Sequence, residues 1–475
     1  MPALARLRQV SRDRLPLILG IYIVCQPLLD ILTAFGVTAG HPVTAGVVVR
    51  SLFMALTFLY VVFVSRFPGK KLCLAVLGAF VAYLVLFMGY MFSLGGLHLC
   101  FGNLQECVKT FYTPFVLVFL YTIYKEYGHT VSTRSIAWAG AIYCGVILLA
   151  FITNTSFKSY GNSGYGYNGW FYAANETGCI IALAGPFVVY YCMKQIPTIT
   201  KKTWWKAPLI LWALASVVFS ANYIGTKIVF LFNLVFCAAA LVWMLFNLYR
   251  ERTVANLCCV ALLMATSVAI MGIYLSSPLK DYVNDVYNDY LHQSSEEVVD
   301  IWEESSRPIK EASEDTWLRQ LIRDNKLVGR LDAVLSRRLF SASPSVQVFI
   351  DSGPVGKLLG IGYRNAPSYS RDITYMIEMD PLSILIRHGV LGFAIYVLPY
   401  LAFIVYAIVR FLRHPLKRLA DLRYCTYLYT ALAAFAIALI AGHALVSPGV
   451  SIFLVVVSFN LWVIDRTQDL EPQRS

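Results

Sequence analysis

Charged residues are scarce in this sequence. Asp, Glu, Lys and Arg make up only 14% of its 475 residues, whereas 58% are hydrophobic. Soluble globular domains carry about a quarter of their residues as these four types. The mean hydropathy is +0.63. The scarcity of charge therefore excludes a set of soluble domains and indicates a polytopic membrane protein.

Patterns of metal ligands and of signal cleavage are also missing. The sequence has no Cys-x-x-Cys motif and no cluster of Cys with His, so we predict no metal and no cofactor. The basic N-terminus leads into an apolar run that is too long for a signal peptide and lacks a small-residue cleavage pattern, so we interpret it as a retained first span. Cys100 and Cys107 share one short segment, which leaves a disulfide between them open.

The net charge of +12 does not indicate a nucleic-acid partner. The Lys and Arg residues form short clusters between apolar runs, which is the distribution that the positive-inside rule produces. With the N-terminus inside, these clusters fall on each inner segment in turn, while the short outer loops carry little beyond Lys109 and Lys158. We therefore predict that both termini are cytoplasmic and that residues 277–381 face outward.

Twelve apolar runs approach the length of about 20 residues that a transmembrane helix needs. We predict an all-α polytopic membrane protein with about twelve transmembrane helices and one large extracytoplasmic loop between spans 9 and 10. The chain then divides into spans 1–9 (residues 1–276), an extracytoplasmic helical and loop domain (277–381), and spans 10–12 with a cytoplasmic tail (382–475). The predicted spans cover residues 16–38, 43–65, 72–93, 108–125, 135–154, 175–193, 207–222, 225–249, 254–276, 383–411, 425–443 and 449–464.

The outer segment has two parts of different composition. Residues 282–339 combine helix-like spacing with abundant charge, which predicts two or three amphipathic helices. Residues 341–380 are richer in Gly, Pro, Ser and Tyr, which predicts a loop. This loop runs directly into the tenth span.

Asp380 and Pro381 mark the start of the tenth span, because Asp accepts bonds from the first free N–H groups of a helix and Pro suits its first position. From Leu382 to Leu412 a straight helix would be about 45 Å long at 1.5 Å per residue. The hydrocarbon core is about 30 Å thick. The first turns must therefore tilt or project, which predicts that Arg387 and His388 lie near the outer interface.

Glu378 lies just before the start of this helix, where backbone N–H groups and the helix dipole favour a bound anion. A carboxylate at that point is suited to act as a general base beside a phosphate leaving group. The alternative is that Glu378 and Asp380 form an ordinary acidic cap on an exposed helix end.

The order of motifs around Glu378 resembles the O-antigen ligase and O-antigen polymerase superfamily. GIGYR at Gly360–Arg364 is followed by a polar loop, an acidic residue and a span containing HGVLG at His388–Gly392. When GVLG is laid on the G-x-x-G step of the family, Glu378 falls on the functional His. The E-M-D sequence at this point resembles a Gram-positive branch of the superfamily.

Three upstream stretches are similar to other motifs of the same family. Gly329-Arg330 resembles the Gly-Arg of the outer loop, whose Arg is thought to hold the pyrophosphate of a lipid-linked donor. Ile224–Leu231 resembles a T-x-S-R stretch opening a span, with Lys227 in place of the Arg; a snorkelling Lys is the alternative for this residue. Asn168–Gly178 resembles the family's G-x-x-x-x-N-x-x-G stretch at the start of a span.

The resemblance implies an enzyme in the plasma membrane of a bacterial cell, which moves a glycan from an undecaprenyl-diphosphate carrier to a sugar hydroxyl at the outer face. In the mechanism we predict, Glu378 takes the proton of the acceptor hydroxyl, and fixed cations replace a metal in neutralising the diphosphate. The partners are the lipid-linked oligosaccharide donor, a glycan acceptor and the lipid bilayer. The predicted substrate and diphosphate contacts are Arg330, Arg364, Lys227, Asp380, Arg387 and His388.

Several functions remain open from the sequence. A polymerase of a surface polysaccharide and a ligase that acts on a wall glycan fit the motifs equally. A transporter or lipid-linked glycan flippase with twelve spans is the competing class, although it would place charges along a central path and show related halves. A membrane scaffold is a third class, and it predicts no effect from replacing Glu378 or Arg330.

Polar residues within the predicted spans should face the bundle interior or the interface, because they are costly in lipid. Asp30 and Arg50 lie toward the outer parts of the first two spans, where they either pair with each other or contact substrate. Lys109 and Glu176 follow the same rule. We interpret His443, near the outer end of the eleventh span, as a satisfied interface histidine.

Overall fold

The described structure is almost entirely helical. The computed structural model describes residues 2–41, 44–159, 166–276, 280, 316–335, 338–374 and 376–470. Its one sheet pairs two short antiparallel strands, β1 (Phe157–Lys158) and β2 (Tyr167–Gly169). The helices are α1 (Pro2–Val24), α2 (Gln26–Thr38), α3 (Ala45–Leu59), α4 (Lys70–Tyr127), α5 (Thr133–Ile152), α6 (Ala174–Gln195), α7 (Lys206–Tyr223), α8 (Lys227–Arg250), α9 (Val254–Leu275), α10 (Trp317–Asp324), α11 (Lys326–Val334), α12 (Arg338–Asp351), α13 (Pro354–Leu359), α14 (Asp380–Arg413), α15 (Pro415–Leu419), α16 (Leu422–Ile440) and α17 (Pro448–Leu470), with a π-helical turn at Tyr60–Val64 and a 3-10 turn at Ile196–Thr198.

Within the described residues, nine helices are long and apolar enough to cross a bilayer, and counting the bent pair α1 and α2 makes ten. This confirms an all-α polytopic membrane protein. The longest helix, α4, has 58 residues, far more than the roughly 20 of one crossing. Non-helical backbone at Gly95 and Gly96 breaks it between the third and fourth predicted spans. The count of twelve spans remains a prediction.

The segment that joins the third and fourth predicted spans is helical rather than a loop. Cys100 and Cys107 lie within α4, and both thiols are free. The Cys100 thiol is 3.2 Å from the carbonyl oxygen of Met88. The disulfide that the sequence left open is therefore absent, because a helix rather than a flexible loop carries both residues.

The outer segment is more helical than its composition indicated. Part of the amphipathic region forms α10 and α11, whereas residues 281–315 lie outside the described part of the chain. The prediction of a loop over 341–380 was wrong for its first half, which forms most of α12 and all of α13. Pro354 stands in the first turn of α13, so Pro marks a helix start there. Residues 360–374 and 376–379 are non-helical, as predicted.

Helix α14 begins at Asp380 and Pro381, as predicted, but it is not one straight rod. The backbone of Gly389 is non-helical, with φ 66° and ψ −174°. The break separates the first nine residues (380–388) from the rest of the apolar helix. A break, rather than tilt alone, therefore accommodates the excess length.

The break in α14 lies directly against the turn that follows α13. The amide of Ile361 donates to the carbonyl of Ile386 at 3.0 Å, and Gly362 donates to Arg387 at 3.1 Å. Gly360 also has a positive φ, 92°. A methyl group added at Gly360 would collide with the carbonyl of Arg387, and one added at Gly389 would collide with that of Leu358. The two glycine motifs therefore form one backbone crossing that only glycine permits.

Candidate functional site

A cavity of about 420 Å³ opens at the end of the bundle that the charge distribution predicts to face outward. Its walls come from α2, α3, the second half of α4, the starts of α6, α14 and α17, and the loop 360–379. The lining combines basic and acidic side chains, which suits a charged and polar ligand. The ionisable residues of the lining are Arg50, Glu106, Lys109, Glu176, Arg364, Arg387 and the histidines His41 and His443.

Arg364 is an exposed cation at the cavity wall. Its side chain packs on Gly102, where an added methyl group would come within 2.9 Å of the Arg364 Cγ atom. Its Nε atom lies 3.4 Å from the Gly102 carbonyl oxygen. Contacts with Gly102 thus hold the aliphatic part and the Nε atom of Arg364, and the residue lines the cavity.

Arg387 lines the same cavity, but its guanidinium serves the loop beside it. Only 2% of the residue is exposed. Nη1 donates to the carbonyl of Gly362 at 2.9 Å and Nη2 to that of Ile373 at 2.6 Å. The same loop is ordered by bonds from Thr374 to Asp372, which lower the pKa of the Asp372 carboxyl. Arg387 thus fixes the loop wall and adds a buried positive charge behind it.

His388 is fully buried and does not line the cavity. Its Nε2 atom lies 2.9 Å from the hydroxyl of Tyr363, and its Nδ1 atom lies 3.1 Å from that of Tyr83. Burial raises the pKa of Tyr363 well above its ordinary value, which keeps this phenol neutral. The Tyr363 hydroxyl also lies 2.9 Å from that of Thr110. His388 therefore connects α14 to α4 through hydrogen bonds on both ring nitrogens.

The predicted pair between Asp30 and Arg50 is confirmed. The Arg50 Nη2 atom lies 2.6 Å from the Asp30 carboxylate, and Gln26 accepts two further bonds from the same guanidinium at 2.9 and 3.0 Å. Tyr143 donates to the other Asp30 oxygen. Because Arg50 lines the cavity, the pair joins the α2–α3 wall to the site.

A second ion pair lies on the α4 wall. Lys109 contacts Glu106 at 2.8 Å, one helical turn away. Both side chains line the cavity and are partly exposed, at 31% and 23%. The pair can therefore exchange its internal contact for a contact with a ligand at small cost.

Glu378 forms an ion pair with Arg338, at 2.9 Å between Oε2 and Nε. The Glu378 side chain is 27% exposed and that of Arg338 is 16% exposed. Among the described residues no hydrogen bond reaches Oε1 of Glu378. Arg338 also donates to the carbonyl of Ile440 at the end of α16. The neighbouring residue Ile377 lines the cavity, whereas Glu378 itself does not.

Sequence reasoning missed Arg338, the partner of Glu378. The available signal was the Arg-Arg doublet at 337–338, immediately before an apolar stretch of the outer segment. The doublet carries no family motif, and 40 residues separate Arg338 from Glu378. Only the packing of α12 against α14 brings the two side chains together.

The other two predicted cations are placed differently. Lys227 begins α8, is exposed, and lies near enough to Arg338 for their charges to repel. Arg330 is exposed on α11. Neither residue lines the cavity. Lys227 thus joins the neighbourhood of Glu378, whereas the structure does not bring Arg330 to the cavity wall.

Asp380 is fully buried, and its bonds differ from the expected cap on its own helix. Its two carboxylate oxygens accept the backbone N–H groups of His443 and Leu445, each at 2.7 Å. The residue before the helix, Met379, makes no side-chain cap. Asp380 therefore orders the turn between α16 and α17 and holds that turn against Glu378, whose backbone Gly442 touches.

His443 is not the satisfied interface histidine that the sequence indicated. Its residue is 6% exposed, it lines the cavity, and its Nδ1 atom has no hydrogen-bond partner within the described chain. The nearest charged atom is Oε1 of Glu176, at 3.9 Å. No described group of three or more His, Cys, Asp and Glu side chains is arranged to hold a metal ion.

Two comparisons bear on the identity of the chain. A family model described as "O-antigen ligase like membrane protein" matches residues 12–466. A search of curated proteins gives no match.

Proposed function

The chain belongs to the family of O-antigen ligase like membrane proteins, and from this premise we propose that it transfers a glycan from an undecaprenyl-diphosphate carrier to a sugar hydroxyl at the outer face of a bacterial plasma membrane. The family makes it a glycan-processing membrane protein and points to an enzyme of the glycosyltransferase type. The carrier, the acceptor and the orientation in the membrane are parts of the proposal.

The observation that best supports the proposal is the mixed charge of the cavity. Arg50, Lys109, Arg364 and Arg387 supply positive charge on its walls, and the segment that carries Glu378 forms its edge. A diphosphate needs cations, preferably guanidinium groups that donate two parallel bonds. An attacking hydroxyl needs a proton acceptor within hydrogen-bond reach. The cavity walls supply the cations, and the proposed proton acceptor follows directly after Ile377, a residue of the wall.

In the proposed reaction the acceptor hydroxyl oxygen attacks the anomeric carbon of the donor glycan. The bond from that carbon to the diphosphate oxygen breaks, and the diphosphate leaves with the electron pair. Glu378 accepts the hydroxyl proton on Oε1, while Arg338 holds Oε2 in an ion pair. A diphosphate is a good leaving group, so fixed positive charge is sufficient to stabilise its departure.

The other predicted residues differ in how directly they contact the substrate in this proposal. Arg364 contacts the diphosphate directly, with Lys109 as a second cation released from Glu106. Lys227 and Arg330 bind the donor as it approaches from the outer segment. Arg387 adds charge from behind the wall. Asp380 and His388 act as positioning residues, because each bonds protein groups instead of facing the cavity.

Replacing Glu378 tests the proposal. We expect Glu378→Gln to lower transfer by about 10²- to 10⁴-fold, the usual contribution of a general base, because the amide cannot accept the hydroxyl proton. The assay supplies purified protein in lipid nanodiscs with a lipid-diphosphate oligosaccharide and measures glycan length by gel. Asp351→Asn is the matched control, since Asp351 is an exposed carboxylate of the outer segment that does not line the cavity.

The same assay separates the competing functions. A longer glycan on the lipid carrier indicates a polymerase, and glycan moved to an added wall glycan indicates a ligase. Movement of the lipid across a proteoliposome without a new glycosidic bond would indicate a flippase instead. Near-normal product from the Glu378→Gln protein would remove Glu378 from the mechanism.

A further inference from the structure

His443 combines an unusual backbone with an unpaired side chain. Its φ is 65°, a left-handed conformation that non-glycine residues seldom adopt. Asp380 holds it there by accepting the N–H groups of His443 and Leu445. Strained residues of this kind persist where the surrounding structure over-determines them, and they cluster at functional sites. The strain here directs the imidazole toward the cavity rather than into the bundle.

The imidazole lacks the partner that a buried polar group normally has. Its side chain is only 7% exposed, and Nδ1 makes no hydrogen bond to the described chain. Buried polar atoms are paired in the great majority of cases, and an exception calls for a ligand, a water or an ion. Glu176, whose side chain is 39% exposed, faces the same space from the start of α6.

The separation of the two groups fits one oxygen atom between them. The distance from His443 Nδ1 to Glu176 Oε1 is 3.9 Å, too long for a direct hydrogen bond. An oxygen placed about 2.8 Å from each atom would bond both. A hydroxyl group satisfies the pair completely, since it accepts from an Nδ1–H and donates to the carboxylate.

We propose that Glu176 and His443 bind one hydroxyl group of the acceptor sugar, next to the hydroxyl that attacks. This inference rests on the proposed function and adds an acceptor subsite to it. The ligand class is a sugar with two neighbouring hydroxyl groups. The first is held by Glu176 and His443, and the second is presented to Glu378.

Charge and position indicate that Glu176 and His443 bind the acceptor rather than the donor diphosphate. A carboxylate such as Glu176 repels phosphate, whereas the cations Arg364 and Lys109 line other parts of the wall. Position points the same way, because a methyl group at Gly442 would lie 2.8 Å from the Glu378 carbonyl carbon. The residue that follows Gly442 is His443, so the backbone that carries the imidazole lies beside the backbone that carries the proposed base.

Two substitutions at His443 distinguish the effect of losing the imidazole donor from the effect of changing the backbone conformation. His443→Asn keeps a nitrogen donor near the position of Nδ1 and tolerates a positive φ. His443→Gly also suits the backbone but removes the donor. Glu176→Gln keeps the shape of the carboxylate and removes its charge. Lys109→Gln serves as the control that weakens the diphosphate site instead.

The experiment measures transfer from a fixed concentration of lipid-diphosphate oligosaccharide to an acceptor glycan at increasing concentration, together with inhibition by undecaprenyl diphosphate, which carries no sugar. For His443→Gly and Glu176→Gln we expect KM for the acceptor glycan to rise about 10- to 100-fold, the value of a hydrogen bond to a charged group. The inhibition constant for undecaprenyl diphosphate should stay within about twofold. His443→Asn should restore most of the KM. Lys109→Gln should instead raise the inhibition constant.

Different results overturn different claims. If wild-type protein forms no glycosidic bond, the proposed function fails. If wild-type protein is active but His443→Gly and Glu176→Gln leave KM unchanged, or raise the undecaprenyl diphosphate constant equally, the acceptor subsite fails and the proposed function stands. Retention of the wild-type elution volume on size exclusion shows that the variants are folded.

Discussion

The ion pair between Arg338 and Glu378 holds the position of the carboxylate at the candidate site. The pair is partly buried, and its Arg also donates to the end of α16. Arg338 therefore connects the chemistry of Glu378 to the packing of two helices.

Replacing Arg338 should reveal this coupling. We expect Arg338→Gln and Glu378→Gln each to destabilise the protein by about 1–3 kcal/mol, because each leaves one partly buried charge without its partner. The double variant should lose less than the sum of the two, with an interaction energy of about 0.5–3 kcal/mol. Thermal unfolding of all four proteins in the same detergent measures the effect.

A matched control for this cycle is Lys357, on α13. The cycle of Lys357→Gln with Glu378→Gln should be additive, since Lys357 is exposed and forms no ion pair with that carboxylate among the described residues, whereas Arg338 lies at 2.9 Å. Additivity in the Arg338 cycle as well would show that the observed ion pair contributes nothing to stability.

At the scale of elements, the crossing of the 358–362 turn with the break in α14 determines the shape of the cavity wall. The two segments meet through their backbone atoms. Gly360 and Gly389 have a positive φ and lie too close to carbonyl groups of the other segment to carry a side chain. The crossing also sets the direction of Arg364 and Arg387, which follow and precede these glycines. The wall is therefore a product of two turns and not of either helix alone.

Alanine at either glycine should damage the protein severely. Gly360→Ala and Gly389→Ala would each add about 1–3 kcal/mol of backbone strain and a collision with a carbonyl group. We expect both variants to unfold at lower temperature and to accumulate poorly in the membrane. Gly353→Ala is the control from the same segment, since no atom lies within 4 Å of its added methyl group and its φ is −63°. Wild-type melting of Gly389→Ala would contradict the crossing.

Sequence patterns predicted these elements unevenly. Asp380 and Pro381 marked the start of α14 because local chemistry alone sets a helix start. The motif glycines at 360 and 389 were recognised, but their mutual contact was not, since a positive φ at Gly389 interrupts an apolar run without changing its composition. The loop prediction over 341–359 failed because Gly353 and Pro354 terminate and start helices there, which composition does not distinguish from a loop.

At the scale of the whole molecule, buried charge is concentrated at the two ends of the bundle. The end that is predicted to face outward carries the cavity and its partly exposed ion pairs. The opposite end contains Arg418 and Asp465 in a buried ion pair, with side chains 3% and 0% exposed. Removing one partner of such a pair costs about 3–5 kcal/mol. One end thus holds a buried ion pair, while the other contains a cavity with partly exposed ion pairs.

Cysteine labelling would test the predicted orientation of the molecule. Cys258 is the one exposed cysteine of the eleven, all of which lie in the described residues, so Cys258→Ser gives a suitable background. We expect Lys357→Cys to react with an impermeant maleimide in intact cells, because its segment is predicted to face outward. Lys201→Cys should react only after permeabilisation. Both side chains are exposed, so the opposite pattern would invert the topology.

Composition predicted the architecture far better than it predicted the site. Apolar length and the distribution of Lys and Arg were enough to find the helices, since each acts over one segment. The site depends on contacts between distant segments, such as Arg338 with Glu378 and Glu176 with His443. No local pattern records such contacts, so the sequence named Glu378 but not its ion-pair partner Arg338.

The crossing of Gly360 and Gly389 also has a consequence for protein engineering. Chimeras of related membrane proteins are usually joined at the ends of apparent spans, which here would mean a junction near Asp380. Such a junction would separate Ile361 and Gly362 from their carbonyl acceptors at Ile386 and Arg387. A junction placed after Gly392 would transfer both halves of the crossing together. The unit to exchange between relatives is therefore the outer segment with the first turns of α14 attached.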